Sequence, residues 1–239
     1  MMQTIDEKKA IDLIEQAQKI VFLTGAGVST ASGIPDYRSL SGIYHGIERP
    51  EYLLSQTCMR EEPEKFYSFV KTMYHPKAKP NRIHLKIAEL EKVKDVGVIS
   101  QNIDGLHKAA GTQHLVNFHG DLYDCYCRKC GQTISAKSYL LSDQHAQCGG
   151  QIRPNIVLYE EGLDEQVIAT AIKAIAAAEL IVIVGTSFQV HPFCDLIHYA
   201  SSQAEILVIN QTPIPLNQQA YFLKEDALRV FENLMIEEL

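Results

Sequence analysis

Four short apolar runs punctuate the chain, and each ends in small or polar residues. Residues 20–23 (IVFL) run towards Gly25, Ala26 and Gly27, and residues 96–100 towards Gln101, Asn102, Ile103 and Asp104. Residues 180–184 run into Gly185, Thr186 and Ser187, and residues 206–209 end at Asn210. Runs this short, rich in Val and Ile and bounded by turn residues, predict buried strands. Between them apolar residues recur at helical spacing, over 83–90 and at Val167, Ile168, Ala171, Ile172 and Ile175. An N-terminal helix is predicted from Ala10, Ile11, Leu13, Ile14 and Ala17, opened by a Thr4-x-x-Glu7 capping box. Strands alternating with helices imply an α/β fold, a Rossmann-like parallel sheet with helices on both faces. Ligands of such sheets sit beyond the carboxyl ends of the strands, so the four polar strand ends are expected to share one crevice.

Two segments break the alternation. Residues 39–80 are rich in Tyr, Glu and Pro, with a helical piece over 63–73, and residues 122–154 hold a cysteine cluster. The expected organisation is a Rossmann-like domain of residues 1–38, 81–121 and 155–239. The helical insert 39–80 and the cysteine-bearing insert 122–154 would form a smaller lobe.

Composition changes this picture little. A chain of 239 residues, 46% hydrophobic, buries a full core without disulfides. The net charge of −7 and the lack of a basic stripe speak against direct nucleic-acid binding. The polar N-terminus has no apolar core of a signal peptide, and no run reaches the length of a membrane span, so a cytoplasmic protein is expected. Four of the six cysteines fall between Cys125 and Cys148, which favours metal over disulfides. Cys127 and Cys130 make a C-x-x-C pair, but the second pair reads His145-x-x-Cys148. Spacing alone leaves three readings open: a site with one histidine ligand, a degraded site, or none.

The stretch TGAGVSTASGIPDYRS, residues 24–39, follows the first strand. Small residues there let backbone N–H groups approach a pyrophosphate. The strict G-x-G-x-x-G pattern fails, because Thr30 stands at the third glycine. Asp36, Tyr37 and Arg38 add an acid, a ring and a guanidinium beside the loop, as a clamp over a dinucleotide needs.

This stretch, QNIDGLH (residues 101–107), His119-Gly120, the paired knuckles, IRPNIVLYEE (152–161), VGTSFQV (184–190) and VIN (208–210) occur in that order. Together they resemble the sirtuin family of NAD-dependent protein-lysine deacylases, over nearly the whole chain and in the form of the bacterial deacetylases. The resemblance implies NAD as co-substrate. Gly25, Ala26, Gly27 and Thr30 would lie near its phosphates, and Tyr37 and Arg38 in the cofactor loop. Gln101, Asn102, Ile103 and Asp104 would line the nicotinamide and ribose pocket. Gly185, Thr186, Ser187 and Asn210 would hold the adenosine half, with Asp226 a weaker carry-over. The amide oxygen of acyl-lysine attacks the ribose as the glycosidic bond breaks, and a general base then activates a ribose hydroxyl. His119 occupies the base position, where a histidine pKa suits the task, and Asn102 and Asp104 complete the catalytic set. Without the resemblance His119 is one of nine histidines.

The resemblance also implies that an acetylated lysine peptide adds as a strand against residues 157–161, touching Val157, Leu158 and Tyr159. Glu160 stands where relatives often carry glycine, so the loop geometry there is open. Relatives that take succinyl or malonyl groups carry Tyr-x-x-Arg where this chain has Tyr67 and Val70, which implies acetyl or longer apolar acyl groups. The family's structural zinc maps onto Cys127, Cys130, His145 and Cys148, an accepted Cys3His set. Cys125 is the rival fourth ligand, and a metal-free hairpin the bland alternative. A monomer is expected. Two other functions stay open, a protein ADP-ribosyltransferase and a non-enzymatic NAD-sensing module.

Overall fold

The computed structural model describes residues 2–36 and 50–236. The chain opens with β1 (Met2–Thr4), α1 (Glu7–Gln16) and β2 (Lys19–Thr24), then two single 3-10 turns, Ala26–Val28 and Thr30–Ser32. Helices α2 (Pro50–Leu53), α3 (Gln56–Glu61) and α4 (Pro63–Thr72) precede α5 (Arg82–Leu90) and β3 (Asp95–Ser100). Next come α6 (Leu106–Ala109), β4 (Leu115–Asn117), β5 (Gly120–Cys127), β6 (Thr133–Ser135), α7 (Ala136–Leu141) and β7 (Ile152–Ile156). The chain finishes with α8 (Glu165–Ala177), β8 (Leu180–Val184), a 3-10 helix (Cys194–Tyr199), β9 (Glu205–Ile209), β10 (Ala220–Leu223) and α9 (Ala227–Asn233).

Seven parallel strands form the main sheet in the order β1-β10-β9-β8-β2-β3-β4. All four apolar runs of the sequence are strands in it. Alternation explains why they are apolar throughout. Ile20 and Phe22 of β2 face one core cluster with α1, α5 and α9, while Val21 and Leu23 face a second with α8 and the 194–199 helix. β8 does the same: Leu180, Val182 and Val184 on one side, Ile181 and Ile183 on the other. The sheet is thus covered on both faces.

The predicted Thr4 capping box is not what opens α1. Thr4 belongs to edge strand β1, paired with Phe222 of β10, and Ile5 N–H donates to the Phe222 carbonyl at 3.0 Å. Asp6 caps the helix instead, accepting from Lys9 N–H at 2.8 Å. The helix begins at Glu7, so the capping position falls to Asp6, two residues after Thr4, and its carboxylate fills it.

A second sheet, antiparallel, has the order β6-β5-β7. It packs with α3, α4 and α7 around a third cluster that includes Phe66, Tyr67, Val70, Tyr139 and Ile152. This smaller lobe stands beside the carboxyl ends of β2 and β3, so one cleft opens between the two cores.

Candidate functional site

The cleft is built from strand ends. β2 is an interior strand, with β3 on one side and β8 on the other. The chain leaves β2 towards one half of the sheet and returns to the other, and that switch point opens a crevice. Gly25 and Gly27 sit in it. A Cβ on Gly25 would lie 2.6 Å from Thr186 Cβ, and one on Gly27 would lie 2.8 Å from Gly185 Cα. Gly185 has φ +62°, and Gly27 N–H donates to its carbonyl at 2.8 Å. These glycines therefore let two loops close on each other. Their bare backbone is also what a phosphate would approach, but the packing reason is the one on display.

The floor is the 101–104 segment. Asn102 Nδ2 donates to the Gly25 carbonyl at 2.9 Å and to Ser29 Oγ at 3.1 Å. Ser29 Oγ donates in turn to Asp104 Oδ2 at 2.6 Å, and the Leu106 amide donates to Asp104 Oδ1 at 2.8 Å. Burial pushes the Asp104 carboxyl up from its ordinary value, and these two hydrogen bonds pull against it. Gln101 Oε1 accepts from Thr186 Oγ1 at 2.7 Å, while its buried Nε2 has no hydrogen-bond partner among the described residues. A buried amide donor without a partner costs free energy unless a ligand acceptor meets it.

His119 follows β4 in the chain. Its Nδ1 lies 3.2 Å from the Gln101 carbonyl oxygen, which can only accept. The proton is therefore assigned to Nδ1, and Nε2 is the acceptor nitrogen, the arrangement a general base needs. Its ring meets Phe118 edge-on at 5.5 Å.

The opposite wall is the segment after β7. Val157 N–H donates to the His119 carbonyl at 3.0 Å. Tyr159 bridges Ser55 in parallel register, its N–H donating to Leu54 O at 2.9 Å and its carbonyl accepting from Gln56 N–H at 3.0 Å. Glu160 adopts φ +73°, the left-handed region that favours glycine. Its carboxylate offsets the strain by accepting from Thr57 N–H at 2.9 Å and Thr57 Oγ1 at 2.7 Å. Arg153 and Glu161 make a bidentate pair at 2.7 and 2.8 Å. Arg153 also donates to Ile156 O at 2.7 Å, and Glu161 Oε2 accepts from Leu158 N–H at 3.0 Å. Burial works to raise the Glu161 carboxyl, but Arg153 and the Leu158 amide outweigh it and hold it below its ordinary value.

The cleft encloses about 800 Å³. Ala26, Gln101, Asn102, Ile103, Asp104, His119, Val157, Leu158 and Tyr159 all line it. Its inner wall is apolar at Met73, Leu122 and Ile156. Val70 and Tyr67 are buried in the smaller lobe's core and are not among the lining residues.

Cys127, Cys130, His145 and Cys148 gather in one cluster, their ligand atoms all within 4.8 Å of one another. The contacts are 3.5 Å for Cys127 Sγ to Cys148 Sγ, and 3.4 and 3.3 Å for His145 Nδ1 to Cys130 and Cys148 Sγ. A tetrahedral Cys3His zinc site has edges of about this length. Gly150 makes room for it: a Cβ there would lie 2.6 Å from Cys127 Sγ. Burial alone would raise the Cys127 thiol, but the N–H groups of Cys130 and Lys129 and the neighbouring thiols bring it down to about 6. Cys125 is turned elsewhere, its thiol against the Tyr74 hydroxyl at 3.5 Å and the Leu122 carbonyl at 3.4 Å.

Residues 25–192 match the Sir2 family. The chain belongs to that family. It is 62% identical over 237 residues to an NAD-dependent protein deacetylase of Enterococcus faecalis, covering 99% of this chain and all of that one. It is 55% identical to an NAD-dependent protein deacetylase of Listeria monocytogenes, over 95% and 99% of the two chains. Among solved structures it resembles a Sir2 homologue in complex with NAD, with TM-score 0.87 and 30% identity over 98% and 94% of the chains. It also resembles a Sir2 protein with a deacetylated p53 peptide and 3′-O-acetyl-ADP-ribose, with TM-score 0.85 and 30% identity over 95% and 96%.

In this sirtuin the other residues picked out from the sequence are not among those that line the cleft. Thr186 is buried behind Gln101, and Asn210 Nδ2 donates to the Thr186 and Thr212 carbonyls at 3.1 and 3.0 Å. Thr30 Oγ1 donates to Gly27 O at 2.9 Å, and Ser187 is exposed next to Thr186. Asp226 caps α9, accepting from Leu228 N–H at 2.9 Å. Tyr37 and Arg38 lie outside the described residues. Sequence reasoning passed over Ser29, which ties Asn102 to Asp104. Its only signal was a small hydroxyl two residues after Gly27.

Proposed function

We propose that this chain removes acetyl groups from protein lysines at the expense of NAD, giving nicotinamide, O-acetyl-ADP-ribose and the free lysine. The observation that carries this reading is the placing of His119 in one cleft with Asn102 and Asp104. Its tautomer is set by the Gln101 carbonyl, and it faces the cleft that Asn102 and Asp104 floor. NAD supplies the electrophilic ribose carbon. The residues present fit such a ligand: bare glycine backbone at the switch point, and a buried Gln101 amide donor that lacks an acceptor among the described residues.

In this reading Asn102, anchored by Gly25 and Ser29, orients the ribose. Asp104, held by Ser29 and the Leu106 amide, keeps the floor in shape. His119 Nε2 takes the proton of a ribose hydroxyl, and the imidazolium is held through Nδ1–H by the Gln101 carbonyl. Gly25, Ala26, Gly27 and Thr30 serve the phosphates, Tyr37 and Arg38 belong to the cofactor loop, Gly185, Thr186, Ser187, Asn210 and Asp226 serve the adenosine half, and Ile103 the nicotinamide end. The acyl-lysine peptide enters along Val157, Leu158 and Tyr159, braced by Arg153 and Glu161. The apolar wall at Met73, Leu122 and Ile156 accepts an acetyl or longer apolar group and offers no cation to an acyl carboxylate.

Cys127, Cys130, His145 and Cys148 would hold a structural zinc, since four protein ligands leave no position for water. The domain division at residues 38, 80, 121 and 154, a monomeric state and a cytoplasmic location belong to the same proposal. Among the described residues no helix is long and apolar enough to cross a membrane.

The test follows nicotinamide release by the zinc-loaded protein with acetyl-lysine, succinyl-lysine or unmodified peptide. Release that requires the acetylated peptide, with succinyl at least ~10-fold poorer in kcat/KM, is expected, since an unpaired carboxylate buried in an apolar pocket costs more than 1.4 kcal/mol. Release without peptide, with ADP-ribose appearing on protein, would instead favour the transferase. NAD binding without turnover would favour the sensing module.

A further inference from the structure

A second cluster of metal-ligating side chains stands apart from the zinc tetrad. His191, Cys194 and Asp195 lie at the start of the 194–199 helix, with ligand atoms all within 4.8 Å. His191 Nδ1 is 2.7 Å from Asp195 Oδ2 and 3.5 Å from Cys194 Sγ. The turn fixes this convergence. Cys194 N–H donates to Val190 O at 3.0 Å and Asp195 N–H to Pro192 O at 3.1 Å. Residues at i, i+3 and i+4 then share one face. Phe193, fully buried, anchors the turn from below.

The arrangement does not suit a nucleophile. A thiol–imidazole–carboxylate relay needs the thiol and the carboxylate on opposite ring nitrogens. Here both approach Nδ1, which is the geometry of a chelating fork. With metal–ligand lengths of about 2.0 Å to nitrogen and 2.3 Å to sulfur, a tetrahedral ion spaces those two atoms by about 3.5 Å. That is the spacing found. The nitrogen–oxygen edge of the same tetrahedron is about 3.3 Å, so Asp195 needs to swing out by about 0.6 Å. Its side chain is 43% exposed and free to do so.

We propose that His191, Cys194 and Asp195 form an exchangeable site for a divalent transition metal ion of the zinc class, whose occupation slows turnover. On binding, the Cys194 thiol gives its proton to solvent and the imidazole proton moves from Nδ1 to Nε2. Three protein ligands leave a fourth position to water, so this ion exchanges while the closed tetrad keeps its own. The effect on turnover follows from position. His191 and Pro192 line the cleft. Phe193 packs on Phe118 at 5.4 Å, and its ring lies 6.4 Å from that of His119. An ion that fixes His191 to the helix places charge and ordered water on the wall that NAD and the peptide must share.

The test uses the full chain with its tetrad zinc loaded. Equilibrium dialysis against free Zn2+ should find one more ion per chain in the unaltered protein than in Cys194→Ser or Asp195→Asn. Co2+ as a spectroscopic probe should show a thiolate charge-transfer band that Cys194→Ser lacks. Zinc titrated into the deacetylation assay should inhibit the unaltered protein. Cys194→Ser should need at least ~10-fold more zinc, since losing even an outer-sphere partner costs that much affinity. Equal zinc content in all three proteins would overturn the proposal, and so would equal zinc sensitivity. Zinc content is read without any turnover, so its failure is distinct from a failure of the deacetylase reading.

Discussion

Glu160 shows how a single residue can sit against its backbone preference and still hold a loop. Its left-handed φ costs about 1 kcal/mol for a residue with a Cβ, and its two bonds to Thr57 offset that. Glu160→Ala keeps the strain and loses the bonds, and should destabilise by about 1–2 kcal/mol. Glu160→Gly loses the bonds but also the strain, so it should melt above the alanine variant. An alanine variant as stable as glycine would contradict the strain argument. At this scale the sequence was informative about chemistry and less so about cause. The glycine loop was legible from its composition, but the close approach of Gly27 to Gly185 was not, because it joins positions far apart in the chain. Ser29 was missed for the same reason: its two partners come from another strand end. His145 was legible only through its distance from Cys148.

Among the elements, the strands buried on both faces were readable from their apolar runs. β1, β4 and β10 were not. The first two have three residues each and no fully buried side chain, so they carry too little pattern. The wall after β7 depends on an ion pair rather than on hydrophobic pattern. Glu161→Gln leaves the Arg153 guanidinium buried without its counter-charge. It should cost about 3 kcal/mol or more, and raise the peptide KM more than it lowers kcat. Urea unfolding and steady-state kinetics check both. α5 and α6 meet through His84 and His107, whose rings are 4.7 Å apart. Burial lowers His84 to about 4, and burial with the His84 neighbour lowers His107 well below its ordinary value. The unfolded chain takes up protons below about pH 6.5 that the folded one refuses, so stability falls as pH drops from about 6.5 towards 4. At pH 5 the His84 share should be about 2 kcal/mol relative to pH 7.5. His84→Gln should flatten that slope in urea unfolding, and an unchanged slope would contradict the assignment.

Across the whole molecule, two cores meet at one cleft, and their stabilities are expected to separate. The main sheet is held by apolar clusters on both faces. The antiparallel sheet relies on a smaller cluster and on the Cys127, Cys130, His145 and Cys148 tetrad. Stripping metal with a chelator should raise amide exchange over residues 122–156 and abolish activity, while β2, β8 and β9 stay protected. Uniform loss of protection would show a single cooperative unit. The whole-molecule architecture was legible because strand ends and family motifs coincide. The segment 157–161 of the cleft's far wall was legible too, but not the pairing of Tyr159 with residues 54–56 that holds it.

The central claim is that His119 is the base of an NAD-dependent deacetylation. It is tested most directly by mass spectrometry of an acetyl-lysine peptide incubated with NAD and either the unaltered protein or His119→Ala. Loss of the acetyl mass that requires both NAD and His119, with O-acetyl-ADP-ribose appearing, is the predicted result. An equal loss with the folded, zinc-loaded His119→Ala protein, or acetate released without NAD, would contradict it.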